Sequence, residues 1–281
     1  MNALEIHDLR KSFGEFSLGP VDLMLPGGCI LGLIGENGAG KSTTIRLILN
    51  MLRRDGGEIS VLGRDNREKG RKMKEEVGVV LDEVGIPECL NAQQVGEIMS
   101  KLYSCWEADT YRELLQRMSL PENKTFGEFS RGMKMKLGIA VALSHRAKLL
   151  ILDEPTSGLD PVVRDEVVEL LREFVTDEEH TILISSHIVS DLEKLCDYIA
   201  FLHRGKLMLM EEKDVLKSEY KLVHASAEEL DTLPKGCILH RRDGEFGSEA
   251  LVRSGSVPED WNAENISIEE LFIHMVKGER E

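Results

Sequence analysis

The sequence predicts an α/β fold in which a sheet is flanked by helices, rather than a sandwich or a helical bundle. Three observations predict this fold. Strand-like and helix-like segments alternate from the N-terminus. The strand-like segments are short and rich in Val, Leu and Ile, as expected for central strands covered on both faces. One of them runs directly into a glycine-rich turn that opens a helix, which is typical of an α/β unit.

The predicted elements follow in order along the first 145 residues. Strands are predicted at 29–34 and 77–81, and a helix is predicted at 43–52. Residues 91–117 have helical spacing and no strand signal, which indicates a helical insertion. Pro121 and the polar segment around it interrupt this insertion before a second helix at about 132–145.

The remaining elements complete the first domain and form a small appendage after it. Strands are predicted at 149–152 and 181–184, and the pattern changes after Met210. A helix at 211–220, strands at 221–224 and 237–240, and a closing helix at 267–276 form a small C-terminal α+β appendage. We therefore predict one domain at 1–210, with a helical subdomain at about 84–145, followed by the appendage at 211–281.

Composition excludes several classes of protein. The 281 residues contain 35 Lys and Arg against 50 Asp and Glu, a net charge of −15 that argues against nonspecific binding to nucleic acid or anionic membranes. No apolar run approaches the ~20 residues of a membrane span. The N-terminal segment carries Glu5 and Asp8 where a secretory signal would need an apolar stretch. The five cysteines form no C-x-x-C pair, which favours reduced thiols in the cytosol. Internal repeats are absent.

A phosphate-binding loop is predicted from GENGAGKS at 35–42, which fits G-x-x-x-x-G-K-[ST] between a strand and a helix. Its glycines let backbone N–H groups face phosphates, and the following helix directs its positive end at them. Lys41 would reach the β and γ phosphates, and the Ser42 hydroxyl would ligate magnesium. The competing interpretation, a glycine-rich turn with a chance lysine, explains fewer of these features.

A second set of residues lies in LLILDEPTSGLD at 149–160. An apolar strand ending at Asp153 delivers a carboxylate to the metal held by Ser42, and the adjacent Glu154 can orient or deprotonate an attacking water. Two acids at a solvated strand end are common, but a loop built for phosphates also requires a carboxylate for its magnesium.

With these motifs in order, residues 4–210 resemble the ATP-binding cassette (ABC) family, specifically the ATPase subunits of bacterial ABC transporters. The resemblance implies a P-loop NTPase fold with a helical signature subdomain, ATP and magnesium as cofactors, and a head-to-tail dimer, homomeric or heteromeric, that drives separate permease subunits. It also implies a peripheral location at the inner face of the membrane. The negative net charge and the lack of a basic stripe argue against a nucleic-acid partner.

The resemblance assigns roles to residues of this sequence. Nucleotide binding is assigned to Phe13, as the adenine-stacking aromatic, and to Gly35, Glu36, Asn37, Gly38, Ala39, Gly40, Lys41, Ser42 and Thr43. Catalysis is assigned to Glu154 and His187, the trans ATP contact to Ser130, Arg131 and Gly132, the dimer loop to Ser157, Gly158 and Asp160, and the metal to Ser42, Asp82 and Asp153.

Two departures from the family pattern stand out. The signature is FSRGM where the family most often has LSGGQ, so Arg131 replaces a glycine. In VGVVLDE, at 77–83, Asp82 or Glu83 takes the place of the usual glutamine that contacts magnesium and water. A carboxylate can ligate magnesium but adds negative charge near the γ-phosphate.

Competing functions remain open at the level of sequence. The first is an ATP hydrolase that drives an exporter similar to those for peptide-antibiotic resistance. It would contact the permease through a groove between Asp82 and the helical insertion, to which Tyr103 and Trp106 contribute. Alternatives are a soluble ABC protein without a transporter and a catalytically inactive regulatory subunit. The appendage could be regulatory, could add dimer surface or could cap the sheet, and we favour the structural role.

Overall fold

The computed structural model describes residues 1–68, 71–177, 179–234, 236–244, 247–258 and 261–278, with only the backbone of residues 71 and 72. The strands are β1 Asn2–Phe13, β2 Phe16–Pro26, β3 Ile30–Ile34, β4 Gly56–Val61, β5 Arg64–Asp65, β6 Val77–Val80, β7 Leu149–Asp153, β8 Thr181–Ser186, β9 Tyr198–His203, β10 Lys206–Glu212, β11 Tyr220–Ala225, β12 Ile238–Gly244, β13 Gly247–Arg253 and β14 Ala263–Asn265. The helices are α1 Lys41–Ile48, α2 Arg71–Glu75, α3 Ala92–Leu102, α4 Ala108–Arg117, α5 Arg131–Leu143, α6 Pro161–Phe174, α7 Val189–Leu195, α8 Lys213–Glu219, α9 Ala227–Leu230 and α10 Ile268–Gly278. Short 3-10 helices occupy Phe126–Glu128 and Ser254–Ser256.

A six-stranded sheet forms the centre of the fold, in the order β10-β9-β3-β8-β7-β6. All neighbours pair in parallel except β10, which runs antiparallel to β9. The predicted α/β class is therefore confirmed. Every residue of β7 and β8 is buried, as predicted for central strands. The strand near Val77 is different, because β6 lies at the sheet edge and Val79 is 38% exposed.

The two faces of this sheet are covered by different elements. Leu149 and Ile151 of β7 pack with α1 and with an antiparallel sheet of order β2-β1-β4-β5. Leu150 and Leu152 point the other way, into a cluster with α5, α6 and α7. The alternation of side chains along a strand thus places one apolar layer on each face. The N-terminal antiparallel sheet was not among the sequence-based predictions.

Two predicted helices end or break earlier than their apolar spacing indicates. The helix predicted at 43–52 is α1, which stops at Ile48 because Asn50 adopts a left-handed φ of 52°. The buried side-chain amide of Asn66 then donates to the carbonyl groups of Leu47 and Ile48, at 2.8 and 2.9 Å. These bonds satisfy carbonyls that a longer helix would have used.

The helical insertion consists of α3 and α4, separated by an extended segment that begins at Tyr103. The Tyr103 ring lies 4.1 Å from the His145 ring and 6.4 Å from that of Trp106. Trp106 in turn packs 5.1 Å from Tyr111 in the core of the helical subdomain. These aromatic contacts explain the break, since they require the chain to leave the helix at Tyr103.

The C-terminal appendage has its own four-stranded sheet, in the order β12-β13-β11-β14. The cassette strand β10 continues to Glu212, where it still pairs with Tyr198, so the helix predicted from 211 begins at Lys213. The closing helix α10 joins the core of the cassette: the rings of Phe272 and Phe201 lie 5.1 Å apart. Within the described residues, no helix is both long and apolar enough to span a bilayer.

Candidate functional site

The phosphate-binding sequence forms the turn between β3 and α1, at the carboxyl end of the central strands. Gly38 and Gly40 have positive φ values of 82° and 110°, which a side chain at Cβ would strain. A Cβ at Gly35 would lie 2.4 Å from the carbonyl oxygen of Leu202. The glycines of the motif therefore satisfy steric demands of this turn.

Lys41 is 5% exposed and lies within the loop that precedes it. Its Nζ donates to the carbonyl oxygens of Gly35 and Glu36, at 2.7 and 3.3 Å, and lies 3.1 Å from Oε1 of Glu154. A buried ammonium requires such partners, because burial of an unpaired charge is costly. Phosphate oxygens can take the place of these acceptors when a nucleotide binds.

Two oxygen ligands suited to magnesium meet beside the lysine. The Ser42 hydroxyl lies 3.2 Å from Oδ1 of Asp153, the last residue of β7. The same carboxylate oxygen accepts a 2.6 Å hydrogen bond from the Ser185 hydroxyl of β8. Magnesium favours oxygen donors and commonly takes one or two protein ligands together with phosphate and water. These residues fit that ion, which would supply charge stabilisation for the phosphates.

Glu154 is held in one orientation at the end of β7. Its backbone lies in the left-handed region, with φ 53°, a conformation that is costly for a residue with a side chain. Its N–H donates to the Ser185 carbonyl oxygen and contacts the Ser185 hydroxyl, both at 3.1 Å. Its Oε2 lies 2.6 Å from Nδ1 of His187. Such strain is typical of functional positions, and here it directs a carboxylate into the cavity.

One open cavity of about 690 Å³ is lined by Lys41, Ser42, Glu154 and His187, among other residues. Its lining consists of Phe16, Glu36, Asn37, Gly38, Gly40, Lys41, Ser42, Thr43, Asp82, Arg131, Glu154, Ser157 and His187. The structure thus brings together the predicted phosphate loop, the predicted base and the predicted switch histidine, although they come from three separate segments. The arrangement can bind a polyphosphate and orient a water for attack.

The aromatic residue in this lining is Phe16, and not the predicted Phe13. The Phe13 ring is 42% exposed at the end of β1, with the Lys11 ammonium 5.2 Å from its centroid. The two rings lie three positions apart in FGEF, and the sequence analysis named only Phe13. Stacking of adenine on Phe13 stays a prediction.

The predicted signature and dimer-loop residues lie at helix starts next to the cavity. Ser130 is exposed, and its hydroxyl accepts from the N–H of Met133, so it caps α5. Asp160 caps α6 by accepting from the N–H groups of Val162 and Val163, both at 3.1 Å. Gly132 and Gly158 adjoin these caps. The contacts of the signature and dimer-loop residues with a second subunit stay predictions.

Asp82 lines the same cavity as Ser42, and its role in metal binding stays a prediction. Its Oδ1 lies 2.6 Å from Nη2 of Arg131, across 49 positions of sequence. Sequence reasoning placed these two residues in separate roles, metal binding and trans contact, and missed that they meet. It also missed Ser185, whose signal is the pair of serines that ends the apolar run of β8.

Comparison with known proteins agrees with this geometry. A family model described as "ABC transporter" matches residues 18–157. The lantibiotic transport ATP-binding protein SrtF of Streptococcus pyogenes is 37% identical over 214 residues, which is 75% of this chain and 91% of that protein. The bacitracin transport ATP-binding protein BcrA of Bacillus licheniformis is 36% identical over 204 residues, covering 72% and 67% of the two chains.

Solved structures share the fold. A structure described as the ATP-binding subunit of an ABC transporter superposes with a TM-score of 0.68 at 28% identity, over 76% of this chain and 92% of that one.

Proposed function

Because this chain belongs to the ABC transporter family and is an ATP-hydrolysing cassette of that family, we propose that it drives an exporter of peptide-type antibiotics through separate permease subunits. The observation that carries the proposal is the convergence of Lys41, Ser42, Glu154 and His187 on one cavity, with Asp153 in contact with Ser42. The proposed class of cargo is supported by the similarity to the bacitracin and lantibiotic transport ATP-binding proteins.

In the proposed reaction, the phosphate loop and Lys41 bind the β and γ phosphates. Ser42 and Asp153 hold magnesium, which supplies positive charge against the phosphates. Glu154 accepts the proton of the attacking water, and His187 keeps its carboxylate in place through the 2.6 Å contact. Glu154 is 9% exposed, so its charge acts in a partly desolvated setting, where electrostatic interactions are stronger than in water.

A head-to-tail dimer is part of the proposal. The cavity is open, and the exposed start of α5, with Ser130 and Gly132, presents the positive end of a helix that favours an anion. In the dimer, this helix start would complete the γ-phosphate site of the second subunit. The second subunit is either an identical chain or a paralogue.

Permease contact is proposed at an apolar groove of about 730 Å³ beside the edge strand β6. Met51 and Val79, which are 58% and 38% exposed, line it together with Met73 and Tyr103. The groove predicted next to Asp82 is also present, at about 560 Å³, but Glu83, Glu88 and Lys134 make it more polar. Exposed apolar side chains at an edge suit a helical segment of a membrane subunit.

The catalytic part is tested by magnesium-dependent release of phosphate from ATP. We expect wild-type activity that is abolished by a chelator, and a loss of about 100-fold or more in Glu154→Gln, since general-base catalysis contributes this much. The variant should still dimerise with ATP on gel filtration. An inactive wild type would instead support the regulatory-subunit alternative.

The transport part is tested by pull-down from native membranes with identification of the co-purifying permease. Met51→Glu should weaken the co-purification, because it places a charge in the apolar groove. Met24→Glu is the matched control, since Met24 is 48% exposed on β2, outside the groove. Purification without any membrane protein, with intact ATPase activity, would favour a soluble ABC protein. A cytoplasmic location at the inner face of the membrane follows from the same proposal.

A further inference from the structure

Arg131 and Asp82, the two departures from the family pattern, contact each other. Arg131 is the first residue of α5, and Asp82 follows β6. Their side chains are 53% and 51% exposed, and the donor and acceptor atoms lie 2.6 Å apart. Both side chains line the same cavity as Lys41 and Ser42. The pair therefore belongs to the nucleotide cavity of its own chain.

Helix stability does not explain an arginine at this position. The first turn of a helix carries positive partial charge, so a cation there is disfavoured and an anion is favoured. The guanidinium also adjoins the dimer loop, since a Cβ built on Gly158 would lie 3.0 Å from Nη1 of Arg131. Arg131 thus connects three segments of the site at an electrostatic cost to α5.

The balance of charged side chains in the cavity indicates what Arg131 does there. Among the described lining residues, the acids are Glu36, Asp82 and Glu154, and the Lys and Arg side chains are Lys41 and Arg131. Lys41 is already paired with Glu154. Without Arg131, the carboxylate of Asp82 would face the phosphates uncompensated, in a chain whose net charge is −15.

We propose that Arg131 acts in its own subunit as a positioning residue that neutralises Asp82, so that the cavity accepts the negative charge of Mg-ATP. The two departures then form one pair, in which the positive charge of the arginine at a signature glycine position offsets the negative charge of the acid at the usual glutamine position. This inference rests on the proposed ATPase function and adds to it a residue pair that sets nucleotide affinity.

The test is a double-mutant cycle on the KM for Mg-ATP and on kcat. Arg131→Gly should raise KM roughly three- to tenfold, because it leaves Asp82 unpaired near the phosphates. Asp82→Gln in the Arg131→Gly background should return KM to within about twofold of wild type, since it removes the uncompensated charge. Arg131→Lys keeps the charge and should stay close to wild type.

A matched control is Arg117→Gly. Arg117 pairs with Glu173 at 2.6 Å, joins α4 to α6 with similar exposure, and lies outside the cavity lining. It should leave KM unchanged, which separates the charge effect from a loosened helical subdomain.

The outcomes distinguish this inference from the proposed function. A wild type without ATPase activity would overturn the function itself. An active wild type in which Arg131→Gly raises KM by the same factor with and without Asp82→Gln would overturn the pairing. A loss confined to kcat, with no change in KM, would also overturn it and assign Arg131 to the trans contact alone.

Discussion

The ammonium nitrogen of Lys41 lies 3.1 Å from Oε1 of Glu154, so the proposed phosphate-binding cation and the proposed base neutralise each other before nucleotide arrives. Both side chains are nearly buried, at 5% and 11% exposure. A phosphate that binds Lys41 must therefore compete with this carboxylate. The same competition releases the carboxylate to act on water only once a nucleotide is present.

Glu154→Gln should therefore bind Mg-ATP more tightly than wild type, by about three- to tenfold, because the competing charge is gone. Equilibrium titration with a non-hydrolysed ATP analogue measures this on both proteins. Glu58→Gln is the control, since it removes one exposed negative charge on β4 and Glu58 lies outside the cavity lining. Equal affinities of wild type and Glu154→Gln would show that the Lys41 contact does not oppose binding.

His187→Ala should lower kcat by up to about 100-fold with little change in KM. The 2.6 Å contact with Oε2 orients Glu154, and a misplacement of about 1 Å can cost this much in rate. Steady-state phosphate release measures both constants. His7→Ala, on an exposed position of β1, should have no effect. An increase in KM at constant kcat would argue that His187 binds nucleotide rather than positioning the base.

Phe272→Ala should destabilise the whole chain by about 3 kcal/mol, because it removes a buried ring from the shared core. Urea unfolding followed by circular dichroism gives this free energy. The neighbouring Ile273 is 42% exposed, so Ile273→Ala should cost no more than about 0.5 kcal/mol. If Phe272→Ala unfolds the appendage alone and leaves the cassette transition unchanged, the structural role of α10 is wrong.

The appendage should lose stability below about pH 6.5. Burial, and secondarily the nearby His240, lower the pKa of His274 below its ordinary value of 6.5. The two Nδ1 atoms lie 2.9 Å apart, while Glu249, Glu270 and Lys277 are the other charged groups near His274. Because the pKa of this histidine is lower in the folded chain than in the unfolded chain, its contribution to the free energy of unfolding is fully present above the pKa of the unfolded chain. That stability is lost as the pH falls, because the unfolded chain binds the proton more readily.

Thermal unfolding at a series of pH values between 8 and 5 tests this expectation. His274→Gln should flatten the decline in melting temperature toward low pH. His224→Gln, which changes an exposed histidine on β11, should retain the wild-type slope. Parallel slopes for wild type and His274→Gln would contradict the expectation.

The parts of the site that could be predicted from sequence are those whose residues lie within one continuous segment of the chain. The phosphate loop and the Asp153–Glu154 pair each combine a strand, a turn and fixed residue types within about ten positions. The contacts of Lys41 with Glu154 and of Arg131 with Asp82 join distant segments. They depend on how the sheet places its strand ends, which no local pattern records.

The fold shows the same division. The buried strands β7 and β8 were predictable because continuous apolar runs mark strands covered on both faces. The early end of α1 was not predictable, because it depends on Asn66 reaching the carbonyls of Leu47 and Ile48 from a later loop. The break at Tyr103 likewise depends on a tertiary contact with His145.

The shared packing of Phe201 and Phe272 also links the stability of the central sheet to that of the appendage. Leu251 and Ile268 of the appendage lie in the same apolar cluster as Leu150 and Ile182 of the catalytic sheet. A molecule that binds only the folded appendage therefore shifts the folding equilibrium of the catalytic sheet as well. In the cell, occupancy of this C-terminal segment by any partner would lengthen the lifetime of the ATPase against proteolysis without touching its nucleotide.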